Sequence, residues 1–365
     1  MKIDRLETAK PIRVLLFAPS HEILGGQTVQ GQRLLKLIGE TRGVEIALQP
    51  INPKFPGALL WVKNIPGVRT VLTILLYLPQ VFSRVPRADI LHIFTAGFYS
   101  YTLWTIPALI AGKLFGKKTI VNYRDGQGEQ HLQQHWTAKP TLRWASAVVS
   151  PSAFIVDAFA RYGIPARVIY NVIDSNDFLY RKRSQLRPLL MTNRGLEPLY
   201  NIECILRAFK RVLERYPEAT LTIAHDGPAR AALEKYAADL GLHDYQFIGR
   251  VPHAEVRELY DRADIYVTTP NIDCMPGSVL ECFASGLPVV ATKAGGIPFL
   301  VTNEETGLLA DLNDDEAVAR NIVRLLEDPA LVERITGNAR AELERYRGDV
   351  VRDAWMALYR ELLHR

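Results

Sequence analysis

Short, uninterrupted apolar runs alternate along the chain with segments that have the length and periodicity of helices. Residues 12–19 (IRVLLFAP) form the first run, and a helical pattern follows through Val29, Leu34, Leu35 and Ile38. Further strands are predicted at residues 44–49, 88–94, 118–123, 144–150 and 167–170. Strands that are apolar throughout are typical of a parallel sheet with helices on both faces. The first part of the chain is therefore predicted to be a doubly wound α/β domain.

The same alternation begins again at Leu189. Strands are predicted at residues 189–193, 219–224, 245–249, 263–269, 287–292 and 307–310, with helices at 202–216, 229–240, 255–262 and 280–285. The polar, basic stretch 180–188 separates the two runs and is predicted to be a hinge. Ligands of such sheets bind at the carboxyl ends of the strands, so the loops there are where chemistry is expected.

Length and charge refine this picture. At 365 residues the chain is long for one core and fits two domains of about 150–180 residues each. A content of 48% hydrophobic and 23% charged residues excludes a disordered or collagen-like chain. Residues 1–180 hold 20 Lys and Arg against 11 Asp and Glu, a net of +9, whereas residues 181–365 hold 24 against 28, a net of −4. The two domains therefore differ in the sign of their net charge, and their electrostatic roles are expected to differ.

The three cysteines, Cys204, Cys274 and Cys282, have neither CxxC nor Cys/His spacing. We interpret them as small half-buried side chains rather than as zinc ligands or a disulfide framework, and we expect a reducing, cytoplasmic setting. The first ten residues are charged and lack the pattern of a signal peptide.

Residues 71–82 (VLTILLYLPQVF) are the longest apolar segment, flanked by Arg69, Arg84 and Arg87. A segment of about a dozen residues falls short of the roughly 20 that span a bilayer. Two interpretations remain open: a buried amphipathic helix, and a helix that lies on an anionic membrane surface.

The loop with the most candidate chemistry lies between residues 268 and 298. Pro276-Gly277-Ser278 is typical of a helix start, and the unpaired N–H groups there would form an anion site. Glu281 lies within the first two turns. It would either accept hydrogen bonds from vicinal hydroxyls, such as those of a ribose, or simply be a carboxylate that the helix dipole stabilises. Asp311, Asp314 and Asp315 are interpreted as another helix start rather than as metal ligands.

Several familiar motifs are absent from the sequence. There is no GxGxxG after a strand, no GxxxxGK[ST], no GxSxG and no HExxH. These absences argue against a nicotinamide dinucleotide cradle, P-loop ATP chemistry, a nucleophile elbow and a zinc protease.

Two segments carry a resemblance to a known family: GSVLECFASGLPVVATKAGGIPFLV at residues 277–301 and TGLLADLNDDEAVARNIVRLLEDP at residues 306–329. They resemble the signature region of glycosyltransferase family 4, and weaker similarity extends over most of the chain. That family consists of retaining, nucleotide-sugar-dependent enzymes of GT-B fold. The resemblance implies two doubly wound Rossmann-like domains with an inter-domain cleft. Residues 1–180 would bind the acceptor and residues 181–345 the nucleotide sugar. Residues 346–365 would form a C-terminal helix that returns to the first domain.

The resemblance also implies roles for particular residues. Arg194 would neutralise the donor diphosphate, Glu281 would hold the ribose hydroxyls, and the helix start at Gly277, Ser278 and Val279 would receive phosphate. The backbone near Gly249 and Arg250 would grip the base. The loop at Gly25 and Gly26 would approach the donor from the first domain.

Three positions depart from the family pattern. The first glutamate of the family's E-x7-E motif falls on Asp273, which is one methylene shorter. Tyr200-Asn201 stands where relatives carry Lys-Gly, so one cation facing the diphosphate is missing. Arg124-Asp125-Gly126 stands where many relatives carry a histidine, and Arg124 would supply the lost cation or clamp an acidic acceptor.

The expected function is retaining, metal-independent transfer of a sugar, hexosyltransferase-like, to a hydroxyl of a glycan, glycolipid or lipid-linked acceptor. No cofactor beyond the nucleotide-sugar co-substrate, no metal and no nucleic-acid partner is expected. Cytoplasmic placement is expected, with the basic first domain against an anionic membrane surface. The alternatives are a catalytically weak nucleotide-binding scaffold and a nucleotide-sugar epimerase of the same fold.

Overall fold

The computed structural model describes residues 10–20, 25–57, 60–61, 65 and 67–364, without the side chains of residues 253 and 254. The chain divides into two compact units. The first contains Met1–Val172 and Gly348–Arg365, and the second contains Ile173–Arg347. The change from one unit to the other therefore comes before the stretch 180–188 that the sequence suggested as a hinge.

Buried polar contacts explain this difference. Arg183, in the middle of the expected hinge, is almost fully buried inside the second unit. Its guanidinium donates to the carbonyl oxygens of Ser285 at 2.6 Å and of Tyr260 at 2.6 Å. Burial, with nearby Arg181 next in effect, lowers the pKa of Arg183 to about 10. A buried guanidinium held in this way fixes the segment to the second unit.

The described part of the first unit contains one parallel sheet with strand order β2-β1-β3-β4-β5-β6. Its strands are β1 Ile12–Ala18, β2 Val44–Pro50, β3 Ile90–Thr95, β4 Lys118–Tyr123, β5 Ala147–Ser150 and β6 Arg167–Val168. The helices between them are α1 Gly26–Gly39, α2 Val68–Arg84, α3 Phe98–Ser100, α4 Ile106–Leu114, α5 Gly128–Gln134, α6 Ala138–Leu142 and α7 Ala153–Ala160. A π-helical turn, Tyr101–Thr105, precedes α4.

The described part of the second unit contains another parallel sheet, in the order β12-β11-β10-β7-β8-β9. Its strands are β7 Leu189–Thr192, β8 Thr220–Ile223, β9 Tyr245–Phe247, β10 Ile265–Thr268, β11 Val289–Thr292 and β12 Leu308–Ala310. Its helices are α8 Ile202–Leu213, α9 Arg230–Asp239, α10 His253–Arg262, α11 Gly277–Ser285, α12 Asp315–Glu327 and α13 Pro329–Glu342. Both predicted doubly wound Rossmann-like domains are therefore confirmed.

The C-terminal helix α14, Gly348–His364, returns to the first unit, as expected from the resemblance. Trp355 and Tyr359 on this helix join the core formed by β1, β3 and β4. The Tyr359 hydroxyl lies 2.8 Å from Nδ1 of the buried His92 on β3, and the Asn122 amide lies 3.2 Å from the other ring nitrogen. His92 is therefore a structural residue that ties α14 to the sheet.

The interpretation of residues 71–82 as a buried amphipathic helix holds for the inner face of the helix only. The helix there, α2, is longer than the apolar segment, at 17 residues, and only Tyr77 and Val81 are buried on it. Val71 and Leu75 face solvent. The pattern could not reveal this because apolar residues occupy both the inner and the outer face of the helix.

Candidate active site

The first part of the site is the N-terminus of α11. The loop after β10 leads to Pro276, and the helix begins at Gly277. The side chains from Val279 to Ser285 are buried, whereas Gly277 and Ser278 stay partly accessible. The first N–H groups of an α-helix have no partner within the helix, and they carry the positive end of its dipole. This accessible helix start is therefore suited to an anion such as a phosphate.

Arg194 follows β7 and lies beside this helix start. Its guanidinium forms an ion pair with the carboxylate of Asp273, and the two side chains are 12% and 11% exposed. One Arg194 nitrogen lies 3.5 Å from the Ser278 hydroxyl, and the guanidinium carbon lies 4.3 Å from the centre of the Tyr200 ring. Burial is the largest single effect and acts to lower the pKa of Arg194. The Asp273 carboxylate, together with the hydroxyl groups of the nearby tyrosines, outweighs it, so that the pKa of Arg194 is raised on balance. The site therefore holds a permanent, oriented cation.

Tyr200 stands at the position where the resemblance implied a lysine, and it contributes a ring face to this cation instead of a second positive charge. A guanidinium over an aromatic face is attracted by the ring quadrupole. Asp273, the shortened first acid of the E-x7-E motif, reaches Arg194. Tyr200 and Asp273, the two residues that depart from the expected pattern, therefore both contact Arg194.

Glu281 lies one turn further along α11 and is almost fully buried. It accepts a hydrogen bond of 2.9 Å from the hydroxyl of Tyr260, which in turn accepts one of 2.7 Å from the amide of Asn193. Burial first, and the Glu281 carboxylate second, raise the pKa of Tyr260 well above its ordinary value, so this hydroxyl stays protonated. The orientation of the carboxylate is therefore set by its neighbours.

A second tyrosine extends the chain of hydrogen bonds back to the arginine. The Tyr266 hydroxyl lies 2.8 Å from the Asn193 side-chain oxygen and 2.8 Å from the Ser278 hydroxyl. Ser278 is the residue that Arg194 approaches. The ribose candidate Glu281 and the diphosphate candidate Arg194 thus belong to one hydrogen-bonded network, which positions both before any ligand binds.

Gly295 supports the loop that carries Asp273. Its φ is +52°, and a Cβ there would lie 2.3 Å from the Asp273 carbonyl oxygen. The neighbouring Gly296 N–H donates to that same oxygen at 2.8 Å. Glycine at position 295 is therefore required by this close approach of two backbones.

The predicted base-binding loop follows β9. Gly249 has a φ of +77°, a conformation that suits glycine, and Ile248 and Arg250 are exposed. Arg230 donates to the Phe247 carbonyl oxygen at 3.0 Å and so holds the end of the strand. The loop presents its backbone and two exposed side chains at the carboxyl end of β9.

Two predicted elements of the site lie in the first unit. Gly25 caps α1 and Gly26 is its first residue, and a Cβ on either would meet no atom within 4 Å. Residues 21–24 of the same loop lie outside the described residues. Arg124 follows β4, stacks 4.4 Å above the Phe94 ring and donates to the Asn171 side chain. Arg124 is thus an oriented cation as well.

The acidic cluster near residue 311 is a helix start, as predicted. Asp314 caps α12 by accepting from the Ala317 N–H at 2.8 Å. Asp315 pairs with Arg207 at 2.9 Å, and Asp311 pairs with Lys293 at 2.8 Å. In the described part of the chain, no three His, Cys, Asp or Glu side chains gather closely enough to hold a metal ion.

Sequence reasoning missed Asn193, Tyr260 and Tyr266, which link the predicted residues. Tyr260 and Tyr266 are fully buried and belong to α10 and β10. In the sequence they look like ordinary core aromatics. Their hydroxyl groups were the available signal, because a buried tyrosine hydroxyl needs a polar partner.

Solved structures share this architecture. An Anabaena protein, HepE, crystallised with UDP and glucose, aligns with a TM-score of 0.74 and 17% identity over 96% of this chain and 100% of its own. Sucrose-phosphate synthase from Thermosynechococcus elongatus aligns with a TM-score of 0.75 and 18% identity, over 97% of this chain and 99% of its own. The two parallel sheets and their flanking helices are those of a GT-B protein.

Two family models match the sequence. "Glycosyl transferases group 1" matches residues 180–342, and "Glycosyl transferase 4-like domain" matches residues 31–171. Between them they take in most of the chain, which belongs to the group 1, family 4-type glycosyltransferases.

The curated relatives include glycosyltransferases. A sulfoquinovosyl transferase of Arabidopsis thaliana is 27% identical over 94% of this chain and 72% of its own length. A GDP-mannose-dependent phosphatidylinositol monomannoside mannosyltransferase of Mycolicibacterium smegmatis is 26% identical over 72% of this chain and 75% of its own.

Proposed function

We propose that this glycosyltransferase moves a hexose from a nucleotide-diphosphate sugar to an acceptor hydroxyl, with retention of the anomeric configuration and without a metal ion. The observation that carries the proposal is the network that joins Glu281, Ser278 and Arg194 at the start of α11. This network offers a carboxylate for a ribose, N–H groups for phosphate and a cation for a diphosphate, all within the second unit.

The donor would bind with its diphosphate at Gly277, Ser278 and Val279, where the helix dipole favours negative charge. Arg194 would leave Asp273 at least in part to pair with a phosphate oxygen, since a guanidinium suits bidentate contacts with oxyanions. The ribose hydroxyls would donate to Glu281, and the base would lie against Gly249 and Arg250.

In the transfer step, the bond between the anomeric carbon and the diphosphate oxygen breaks while the acceptor oxygen forms a new bond on the same face. The proton of the acceptor hydroxyl passes to the departing diphosphate, so no nucleophile of the protein is needed. Arg194 and the helix start stabilise the negative charge that develops on the leaving group. Arg124 would add positive potential, and Asp273 would contact the transferred sugar.

The acceptor would be a glycan, a glycolipid or a lipid-linked intermediate, bound through the first unit on the cytoplasmic side of a membrane. The net charge of +9 over residues 1–180 supports an anionic acceptor or surface. The lipid in the name of the Mycolicibacterium relative also supports this class of acceptor.

Nucleotide binding is tested first, by thermal shift with UDP, GDP and ADP, because a ligand of the native state raises its melting temperature. The sugar conjugates of the stabilising nucleotide are then offered with and without EDTA, and the anomeric configuration of the product is read by NMR. We expect a retained product in both conditions. Nucleotide binding without any turnover would favour the scaffold alternative. Exchange of solvent deuterium into the sugar without transfer would favour the epimerase.

A further inference from the structure

The outer face of α2 is apolar although it faces solvent. Val68, Val71, Leu75 and Phe82 are 49%, 58%, 61% and 37% exposed. Their spacing of three, four and seven residues places them on one side of a 3.6-residue helix. A surface helix of a globular protein normally turns charged and polar residues outward, so this stripe is unusual for a helix that contacts only water.

The inner face of the same helix is firmly packed. Tyr77 and Val81 have no exposed surface. The Tyr77 hydroxyl donates to the Trp104 carbonyl oxygen at 2.8 Å, and the two rings meet edge to face with centres 5.2 Å apart. The helix is therefore an integral part of the first unit, and its outer stripe is held in place by the inner contacts.

The apolar surface continues onto the end of α4. The ring centre of Phe115, just after α4, lies 6.3 Å from that of Phe82. Phe115 is 40% exposed, and Ile110 and Leu114 on α4 are 40% and 69% exposed. We call this combined surface the α2–α4 face: Val68, Val71, Leu75, Phe82, Ile110, Leu114 and Phe115.

The charge around this face has one sign. Between residues 67 and 118, all of which the structure describes, there are six Lys and Arg residues and one acidic residue, Asp89. Asp89 is already paired with Arg13 at 2.8 Å. Arg69 on α2 and Lys113 on α4 are exposed, and Lys113 lies 4.9 Å from the ring centre of the half-exposed Trp144. An apolar stripe with a basic border complements an anionic lipid surface.

We propose that the α2–α4 face binds to the surface of an anionic lipid bilayer, with the apolar stripe in the headgroup and acyl boundary and the cations against the lipid phosphates. Together with the short turn after it, α2 forms a 20-residue helical stretch, Val68–Arg87, that is long and apolar enough to cross a membrane by length and composition. The buried contacts of Tyr77 and Val81 favour the surface position instead, because a spanning helix would have to give them up. The proposal concerns a binding surface and does not rest on the proposed donor chemistry.

Vesicle flotation tests the proposal on the 365-residue chain. Vesicles of 70% phosphatidylcholine and 30% phosphatidylglycerol are compared with pure phosphatidylcholine at 0.1 M salt. We expect binding to the anionic vesicles, with binding to the neutral ones about tenfold weaker or more, and release at 1 M salt. The double variant Val71→Glu/Leu75→Glu should lower binding to the anionic vesicles by at least about tenfold.

The matched control is Leu312→Glu, at an exposed leucine of the second unit. It adds a carboxylate to a similar surface position and should bind vesicles as the unchanged protein does. Thermal melting and the nucleotide shift should be the same in all three proteins, which separates this test from that of the donor site.

Four outcomes would overturn the proposal. The first is that the unchanged protein fails to bind anionic vesicles. The second is that the double variant binds as well as the unchanged protein or the Leu312→Glu control. The third is that the protein stays on the vesicles after carbonate extraction, which would indicate a spanning helix. The fourth is a dimer in solution that the double variant abolishes without any vesicle binding, which would show that a second copy of the chain covers this face.

Discussion

Arg194→Ala is the substitution that most directly tests the proposed donor site. Arg194 and Asp273 are both close to nine-tenths buried and form an ion pair. Removing the arginine therefore leaves a carboxylate that is poorly solvated and has lost its cation. Breaking a buried pair from one side costs about 3 kcal/mol of folding free energy. For a unit of about 150–250 residues, the size range of Ile173–Arg347, that loss corresponds to a fall of roughly 6–12 °C in the melting temperature of the unit.

The same substitution removes the cation that would stabilise the leaving diphosphate. Loss of one such preorganised group lowers the rate of the chemical step by about 100-fold or more. Stability and catalysis are therefore both expected to fall, and a second variant is needed to separate them. Arg194→Ala/Asp273→Asn removes the stranded charge, so it should recover most of the melting temperature but not the rate.

The assay measures melting temperature and initial transfer rate for four proteins: the unchanged chain, Arg194→Ala, Asp273→Asn and the double variant. The rate of the double variant is compared with that of Asp273→Asn, so that only the arginine differs. The reasoning is refuted if Arg194→Ala transfers sugar within about threefold of the unchanged protein, where about 100-fold is expected. It is also refuted if the double variant is no more stable than Arg194→Ala.

Glu281→Gln should weaken binding of the stabilising nucleoside diphosphate about 10- to 100-fold, because a hydrogen bond to a charged group is worth about 1.5–3 kcal/mol; calorimetry that shows unchanged affinity would contradict the ribose assignment. Gly295→Ala should weaken nucleotide binding and lower the melting temperature, since its Cβ would lie 2.3 Å from the Asp273 carbonyl oxygen. The control Gly337→Ala lies inside α13, and its Cβ meets no atom within 4 Å, so it should leave nucleotide binding unchanged and should not lower the melting temperature, because alanine is favoured over glycine within a helix. Burial first, and Arg124 second, lower the pKa of His92 to about 3 in the folded state from the ordinary 6.5, so the unfolded chain binds one more proton between these values. Stability should therefore fall by about 1.4 kcal/mol for each pH unit from about 6.5 toward 3. Urea unfolding of His92→Gln between pH 6 and 4 should show a smaller slope than the unchanged protein, and equal slopes would argue against this account.

Much of the fold could be predicted from the sequence because the signals are local. A strand buried on both faces needs an uninterrupted apolar run, as in residues 118–123, and an observed strand, β4, lies there. Pro276 and Asp314 identified two helix starts for the same reason, since capping involves only residues a few positions apart. The resemblance located Arg194, Asp273 and Glu281, whose roles in binding and transfer stay predictions.

What depends on contacts between distant segments could not be predicted in this way. Arg194 and Asp273 are 79 residues apart in the sequence, and no local pattern in either segment predicts that they form an ion pair. Tyr260 reaches Glu281 because α10 and α11 pack together. The same holds for the boundary between the units, where Arg183 joins the expected hinge to the second unit through backbone carbonyls.

The apolar segment at residues 71–82 shows most clearly which features the sequence determines and which the tertiary structure decides. Its sequence determined that a helix would form there and that arginines would flank it. Only the tertiary structure decided which side of that helix is covered. Tyr77 and Val81 face the core while Val71 and Leu75 face outward, because packing against the rest of the first unit can bury only one face of a helix whose apolar residues lie on both.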